Sequence, residues 1–168
     1  MFVLGIDPGL TRCGFGVIES DLSELESFRA VRAGVIESEH TMDVEKRLGF
    51  LVTEMSQLLE ECQPDAVVVE KVFFQRNAKT AIPVAQASGI AVGIAASRGI
   101  TVRQFTAQQV KMAVTGYGAA DKLQVQTMVA TLCHLREIPK PPDAADALAL
   151  AMTYCMVERV ERKYVVTP

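Results

Sequence analysis

Apolar residues along the first half of the chain fall into short strand-like runs and one longer segment with helical spacing. Three short runs come first, Phe2–Ile6, Gly14–Ile18 and Phe28–Ile36, and they predict an antiparallel meander of three strands. Apolar residues in Val44–Cys62 recur every three or four positions, which predicts a helix. The run Ala66–Val69 has no alternation, as expected of a central strand that is covered on both faces.

The second half of the chain has mainly helical spacing. We predict a long helix over Asn77–Ser97, a fifth strand over Ile100–Phe105, and helices at about 106–114, 121–134 and 143–159, with Asp121 as an N-cap. Three strands followed by helices that alternate with two more strands predict an α/β fold with a mixed five-stranded sheet flanked by helices. We expect residues 1–168 to form a single domain, with the last ~8 residues as a disordered tail.

The amino-acid composition indicates the class of protein and the compartment in which it works. Of the 168 residues, 49% are hydrophobic and 22% are charged, an ordinary balance for a globular protein. No apolar run reaches the roughly 20 residues that span a bilayer, and no basic segment precedes the first strand as in a signal peptide. The four cysteines form no C-x-x-C pair, which favours buried free thiols in a reducing compartment. We therefore expect a cytoplasmic protein without a membrane partner.

Charge is distributed unevenly along the chain. The formal net charge is −3, which by itself argues against a nucleic-acid partner. Residues 1–70 carry 5 basic and 14 acidic residues, whereas residues 71–140 carry 9 basic and 2 acidic residues. Screening removes distant charges within about 10 Å, so a local basic region decides contact with a phosphate backbone. The pattern is compatible with a DNA-binding face and equally with a solvated polar surface.

Acidic residues lie where ligand sites form in sheets of this type. Asp7 follows the first predicted strand and Glu70 the fourth, and ligand sites lie beyond the carboxyl ends of parallel strands. Asp143 and Asp146 are three residues apart at the start of the last predicted helix, and therefore lie on one face. Four carboxylates in one pocket need a cation, and oxygen ligands favour Mg²⁺ or Mn²⁺. A two-ion cluster of this kind can cleave phosphodiester bonds.

Each acid also has a purely structural interpretation. Asp7 could begin the Pro-Gly turn that follows it, and Glu70 could be a strand-end charge that faces water. Asp143 and Asp146 fit an N-cap and an N3 carboxylate that interact with the helix dipole. Glu70 is the most informative position because it follows four residues of a buried type.

Several motifs, taken together, resemble the RuvC-type junction resolvases of bacteria. The resemblance extends over nearly the whole chain, and the motifs occur in the order of that family. They are Leu4-Gly5-Ile6-Asp7-Pro8-Gly9 with Gly14-Phe15-Gly16-Val17-Ile18, Val69-Glu70-Lys71-Val72-Phe73-Phe74 with Asn77-Ala78, Gln109-Val110-Lys111, Gly118-Ala119-Ala120-Asp121-Lys122 with Gln124-Val125-Gln126, and Asp143-Ala144-Ala145-Asp146-Ala147-Leu148-Ala149.

The resemblance implies an RNase H-like fold and a set of functional residues. It assigns metal binding and catalysis to four acids, a catalytic or DNA-orienting role to one lysine, and DNA contact to further basic and aromatic residues. The acids are Asp7, Glu70, Asp143 and Asp146; the lysine is Lys122; the DNA contacts are Lys111, Lys122, Arg76, Lys79 and Phe73, the last of these by stacking on unpaired bases.

The resemblance also implies an activity and partners. The family cuts four-way (Holliday) DNA junctions with paired symmetric nicks, using two Mg²⁺ or Mn²⁺ ions, and leaves 5′-phosphate and 3′-hydroxyl ends. It acts as a homodimer beside a branch-migration motor of the RuvA and RuvB type in recombination and repair. Small residues every fourth position of the second long helix could serve a dimer contact or packing on the chain's own sheet; they are Ala81, Ala85, Gly89, Gly93 and Ser97. Pro83 in that helix predicts a kink or a displaced first turn.

Three other functions remain open on the sequence. The turn Asp7-Pro8-Gly9-Leu10-Thr11 resembles the phosphate-binding turn of sugar kinases and actin-like ATPases, although those proteins close two such domains around ATP. A related nuclease that acts on RNA would use the same acids. A junction-binding scaffold without catalysis is the non-enzymatic alternative.

Overall fold

The computed structural model describes residues 1–23, 27–72 and 78–165, and only the backbone at residues 78–80 and 165. These residues form five strands and five helices. The strands are β1 (Phe2–Asp7), β2 (Arg12–Glu19), β3 (Arg29–Glu37), β4 (Ala66–Glu70) and β5 (Thr101–Phe105). The helices are α1 (Val44–Cys62), α2 (Ala78–Ser97), α3 (Ala107–Thr115), α4 (Lys122–Leu132) and α5 (Pro142–Val165).

All five strands form one mixed sheet in the order β3-β2-β1-β4-β5. Strands β1, β2 and β3 form the predicted antiparallel meander. Strand β4 is parallel to β1, and β5 is parallel to β4. The predicted α/β fold with a mixed five-stranded sheet is therefore confirmed. Because β1 and β4 are parallel neighbours, their carboxyl ends lie at the same edge of the sheet.

Helices cover both faces of the sheet. On β1, Val3 packs in a core with residues of α3, α4 and α5, whereas Leu4 and Ile6 pack in a second core with residues of α1 and α2. On β4, Val68 belongs to the first core and Val67 to the second. This confirms the prediction that the unalternating apolar run is a central strand covered on both sides.

Helix α5 lies directly on β1 and β2 because glycines line its path. A Cβ atom at Gly5 would overlap the carbonyl oxygen of Ala147, and one at Gly14 would overlap that of Asp143. The missing side chains let the helix backbone approach the sheet more closely than any larger residue allows. Since Gly14 is the β2 partner of Asp7 in the sheet register, the same contact brings the first turn of α5 to the end of β1.

The ends of two helices differ from the sequence prediction, and a third helix contains Pro83. Helix α5 continues to Val165, so the predicted end at about residue 159 is wrong, and residues 161–165 of the predicted tail are helical. The remaining residues of that tail, 166–168, lie outside the described residues. Helix α4 ends at Leu132, and His134 takes a left-handed conformation with φ of 52°. Helix α2 runs through Pro83 from a start at Ala78, so the proline does not displace its first turn.

The cysteines are all free thiols. Three of them, Cys13, Cys133 and Cys155, are buried, and Cys62 is half-buried. Burial raises the pKa of the Cys13 thiol to about 12, and the charges of Asp7 and Asp143 act in the same direction, so the thiol stays protonated at neutral pH. None of the helices in the described ranges has the length and apolar character required to cross a membrane.

Candidate active site

Two carboxylates meet at the carboxyl edge of the parallel strands. Asp7 ends β1 and Glu70 ends β4, and the preceding residues, Ile6 and Val69, are partners in the parallel register. Both acids are partly buried, whereas the residues before them are fully buried. The sheet therefore holds two carboxylates side by side at its edge, as the sequence predicted.

The first turn of α5 adds two more acids. Asp7, Asp143 and Asp146 each offer an oxygen, and these three oxygens all lie within 4.8 Å of one another. Glu70 is not part of this close group. The helix begins at Pro142, a residue suited to the first helical position, so Asp143 lies inside the first turn and the interpretation of Asp143 as an N-cap is wrong.

A cavity of about 280 Å³ opens beside the acids. Three of the acids line it together with two lysines, and the rest of its wall is apolar. The charged residues are Asp7, Glu70, Asp146, Lys111 and Lys122. Lys111 comes from α3 and Lys122 from the start of α4, so the cavity lies between the sheet edge and three helices. An anionic ligand that enters it would meet both lysines and the acid cluster.

Asp7 and Glu70 have pKa values above those of isolated acids. Burial, followed by the charges of Glu70, Asp146 and Asp143, raises the pKa of Asp7 from its usual 3.8 to about 7. Burial and the charge of Asp146 also raise the pKa of Glu70 above its usual value. Crowded carboxylates with raised pKa values are typical of sites that bind a cation or transfer a proton.

Lys122 is held in the site by Asp146. Its Nζ lies 2.6 Å from Asp146 Oδ2, and this hydrogen bond raises the pKa of the lysine, so it is charged at neutral pH. Lys122 is the first residue of α4, where Asp121 and Gln124 form a capping box. The predicted N-cap at Asp121 is confirmed, and it fixes the position from which Lys122 extends toward the acids.

Arg12 is a site residue that the sequence prediction missed. It begins β2, and its Nε donates a hydrogen bond to Asp143 Oδ2 at 3.0 Å while Nη1 lies 2.9 Å from Glu37 Oε1. Asp143 is 131 positions away in sequence, so no local pattern could have indicated the contact. Side chains alternate between the two faces of a strand, so the sequence indicates only that Arg12 and Gly14 lie on the same face of β2.

Three of the predicted DNA contacts cannot be placed relative to this site. Phe73 and Arg76 lie outside the described residues. Lys79 lies in the first turn of α2, where only the backbone is described. The predicted roles of these three residues remain predictions.

Comparison with known proteins identifies relatives over almost the whole chain. The family model "Crossover junction endodeoxyribonuclease RuvC" matches residues 3–154. The protein of that name from Thermomicrobium roseum is 46% identical over 159 residues, and the match covers 95% of each chain. The one from Leifsonia xyli is 49% identical over 152 residues, which are 90% of this chain and 72% of the relative.

A solved structure gives the same result. Thermus thermophilus RuvC in complex with a Holliday junction substrate superimposes with a TM-score of 0.89 at 34% identity, and the match covers 96% of both chains. The resemblance that the motifs indicated is therefore confirmed by overall sequence and by fold. This chain belongs to the crossover junction endodeoxyribonuclease RuvC family.

Proposed function

We propose that this protein resolves four-way DNA junctions by divalent-metal-dependent hydrolysis at the acid cluster. The observation that carries the proposal is the convergence of Asp7, Asp143 and Asp146 oxygens within 4.8 Å at the edge of the sheet. The two lysines in the adjoining cavity favour a phosphate substrate. Membership of an endodeoxyribonuclease family argues against the kinase-like alternative.

The acid cluster fits a hard divalent cation. All of its ligand atoms are carboxylate oxygens, the ligands that Mg²⁺ and Mn²⁺ prefer. Burial first, and then the neighbouring negative charges, raise the pKa of Asp7 to about 7, and a divalent cation would compensate those charges. Asp7 and Asp146 belong both to the close group with Asp143 and to the cavity that Glu70 lines. The four acids would therefore hold two ions, one at Asp7, Asp143 and Asp146 and one nearer Glu70.

Such ions, when bound, supply an activated water for in-line attack and stabilise the leaving oxygen. The chain's own groups orient the substrate. Lys122, anchored on Asp146, would hold the scissile phosphate against the acids, and Lys111 would contact a neighbouring phosphate. With the 3′ oxygen as the leaving group, hydrolysis gives 3′-hydroxyl and 5′-phosphate ends.

The junction as substrate is supported by the Thermus relative, which was solved with a Holliday junction. In this proposal Phe73 stacks on an unpaired base near the crossover, a contact worth about 1–3 kcal/mol. Arg76 and Lys79 would contact the backbone nearby. A motor of the RuvA and RuvB type is the proposed partner in recombination and repair.

A homodimer is part of the proposal, and the exposure of α2 supports it. Ala87, Ala91 and Ala95 are buried in the core between α2 and the chain's own sheet, and Ile90, Val92 and Ile94 pack partly against it. In the small-residue stripe, by contrast, Gly89, Gly93 and Ser97 are exposed, and a Cβ at either glycine would meet no atom within 4 Å. A second backbone can approach such a surface closely. Light scattering should give the mass of two chains at micromolar concentration, and the mass of one chain would contradict the dimer.

The test of the proposed function compares substrates of matched sequence. A mobile four-way DNA junction, a linear DNA duplex and single-stranded RNA are each incubated with the protein and Mg²⁺. We expect paired symmetric nicks in the junction alone, and none with EDTA. Metal-independent binding without nicks would favour the scaffold alternative, and cleavage of the RNA would favour an RNA nuclease.

A further inference from the structure

Arg12 links the antiparallel strands β2 and β3 to the first turn of α5. It is the β2 partner of Glu37 in the sheet register, so both side chains lie on the same face of the sheet. Its guanidinium lies between Glu37 and Asp143, with contacts of 2.9 Å and 3.0 Å through different nitrogens. The two contacts fix the guanidinium against rotation about its long side chain.

The contact to Asp143 uses one carboxylate oxygen. Arg12 Nε bonds Oδ2, and a carboxylate has two oxygens that can accept. The Asp143 Oδ1 atom can therefore accept another partner, and the contact at Oδ2 fixes the direction in which Oδ1 points. A guanidinium is suited to this task because it is planar, keeps its charge at any physiological pH and offers donors in a rigid fork.

Stabilisation of the fold explains this arrangement poorly. The side chains of Arg12 and Glu37 are 46% and 60% exposed, and ion pairs with that exposure contribute little to stability. Helix α5 is already held to the sheet at this point by the contact of its backbone with Gly14. The distinguishing feature of Arg12 is its contact with a member of the acid cluster.

We propose that Arg12, oriented by Glu37, is a positioning residue that holds the Asp143 carboxylate in the direction required for metal binding. This inference rests on the proposed metal site. Arg12 does not contact the substrate in this proposal. Glu37 affects metal affinity only through its contact with Arg12. Groups that hydrogen-bond metal ligands commonly change metal affinity about 10–100-fold when they are removed.

The matched control is an arginine in an equivalent setting at the other end of α5. Arg103 is 45% exposed and lies 2.6 Å from Glu161, so Arg103→Ala removes the same charge and the same kind of ion pair far from the acids. Arg12→Lys keeps a positive charge but lacks the fork that contacts two acids, and Glu37→Gln removes the anchor alone.

The experiment measures Mn²⁺ affinity by calorimetry on the full chain without DNA, and junction affinity separately in EDTA. We expect Arg12→Ala to weaken Mn²⁺ binding at least about tenfold, Arg12→Lys and Glu37→Gln by smaller factors, and Arg103→Ala not at all. Junction affinity in EDTA should be unchanged in all four variants.

Three results would overturn the inference, and they differ from failure of the proposed function. Unchanged Mn²⁺ affinity in Arg12→Ala would show that the arginine positions nothing for the metal. Tighter binding would show that it competes with the ion for Asp143. Weaker junction binding in EDTA with unchanged Mn²⁺ affinity would make Arg12 a phosphate contact. Failure of the wild-type protein itself to bind Mn²⁺ would refute the metal site, and the role of Arg12 with it.

Discussion

The two ends of α5 carry acidic residues in different electrostatic surroundings. In the first turn, Asp143 and Asp146 lie close to Asp7, and burial followed by the charges of Glu70, Asp146 and Asp143 raises the pKa of Asp7 to about 7. In the last turns, Glu158 is half-buried and Glu161 is exposed, and each has an arginine within hydrogen-bond distance. Asp143 and Asp146 have cationic partners too, Arg12 and Lys122, but they also lie against the Asp7 carboxylate. The two ends of the helix therefore differ in the crowding of their acids.

The crowding of acids distinguishes the proposed functional site at the first turn of α5 from the surface ion pairs at its last turns. Surface ion pairs contribute between about 0 and 1 kcal/mol each. Crowded, partly buried carboxylates cost stability in the absence of a ligand, so the cluster in the first turn favours a cation-binding site. Substitutions at the first turn should therefore change catalysis, and equivalent substitutions at the last turns should not.

The largest effect is expected from Asp7→Asn. We expect junction nicking to fall by at least about three orders of magnitude, because a proposed metal ligand is lost. The pKa of Asp7 is raised on folding, so its ionised form opposes folding above pH 7 and this cost disappears as pH falls toward 4. Asp7→Asn should therefore stabilise the metal-free protein at pH 8 by on the order of 2 kcal/mol in chemical denaturation.

The control for that variant is Glu161→Gln, which removes an acid from the other end of α5. It should leave both nicking and stability nearly unchanged. Nicking by Asp7→Asn at the wild-type rate would show that the site is misassigned.

Replacement of Lys122 by alanine should have the next largest effect. The lysine is the cation that Asp146 holds against the acids, and its loss should lower the single-turnover nicking rate roughly 10²–10³-fold at saturating Mg²⁺. The matched variant Arg162→Ala breaks a surface pair with Glu158 and should have no effect on this rate. Equal rates for the two variants would remove Lys122 from the mechanism.

Gly14→Ala tests how the first turn of α5 is positioned. The new methyl group would overlap the Asp143 carbonyl oxygen, so the helix must move away from the sheet. We expect nicking to fall about 10²-fold, because a shift of about 1 Å misplaces the acids, and stability to fall by about 1–3 kcal/mol.

The glycine control lies in α1. A Cβ at Gly49 meets no atom within 4 Å, so Gly49→Ala should keep full activity and raise stability by about 0.5–1 kcal/mol. Full activity in Gly14→Ala would show that the close approach of α5 is not required.

The smallest predicted effect is the pH dependence of metal binding. Asp7 must lose its proton to act as a ligand, and with a pKa of about 7 it is largely protonated at pH 6. Mn²⁺ affinity should therefore be about tenfold weaker at pH 6 than at pH 8, with protons released on binding. Calorimetry in buffers of different ionisation enthalpy measures both quantities. An affinity independent of pH in this range would contradict the raised pKa.

The acids could be found from the sequence because each has a local signal. Asp7 and Glu70 end apolar runs, and the spacing of Asp143 and Asp146 places them on one helix face. That the two pairs converge depends on the parallel pairing of β1 with β4 and on the glycines under α5. These are properties of the assembled fold, which sequence spacing indicates only indirectly.

Two features could not be predicted, for different physical reasons. Arg12 contacts Asp143, which is 131 positions away, and a repeating pattern of residues along the chain cannot predict so distant a contact. The last turns of α5 extend beyond the core, so Val160 and Tyr164 are 52% and 80% exposed and no apolar stripe marks the helix there. The i,i+4 pair between Glu158 and Arg162 supports these turns instead.

The most direct test of the central claim is a crystal of the protein soaked in Mn²⁺ and measured at the manganese absorption edge. We predict anomalous peaks coordinated by Asp7, Asp143 and Asp146, with Glu70 completing a second ion's ligands, and none at the last turns of α5. Absence of a peak at Asp7, or manganese bound at Glu158 or Glu161 instead, would contradict the assignment of this acid cluster as the metal centre.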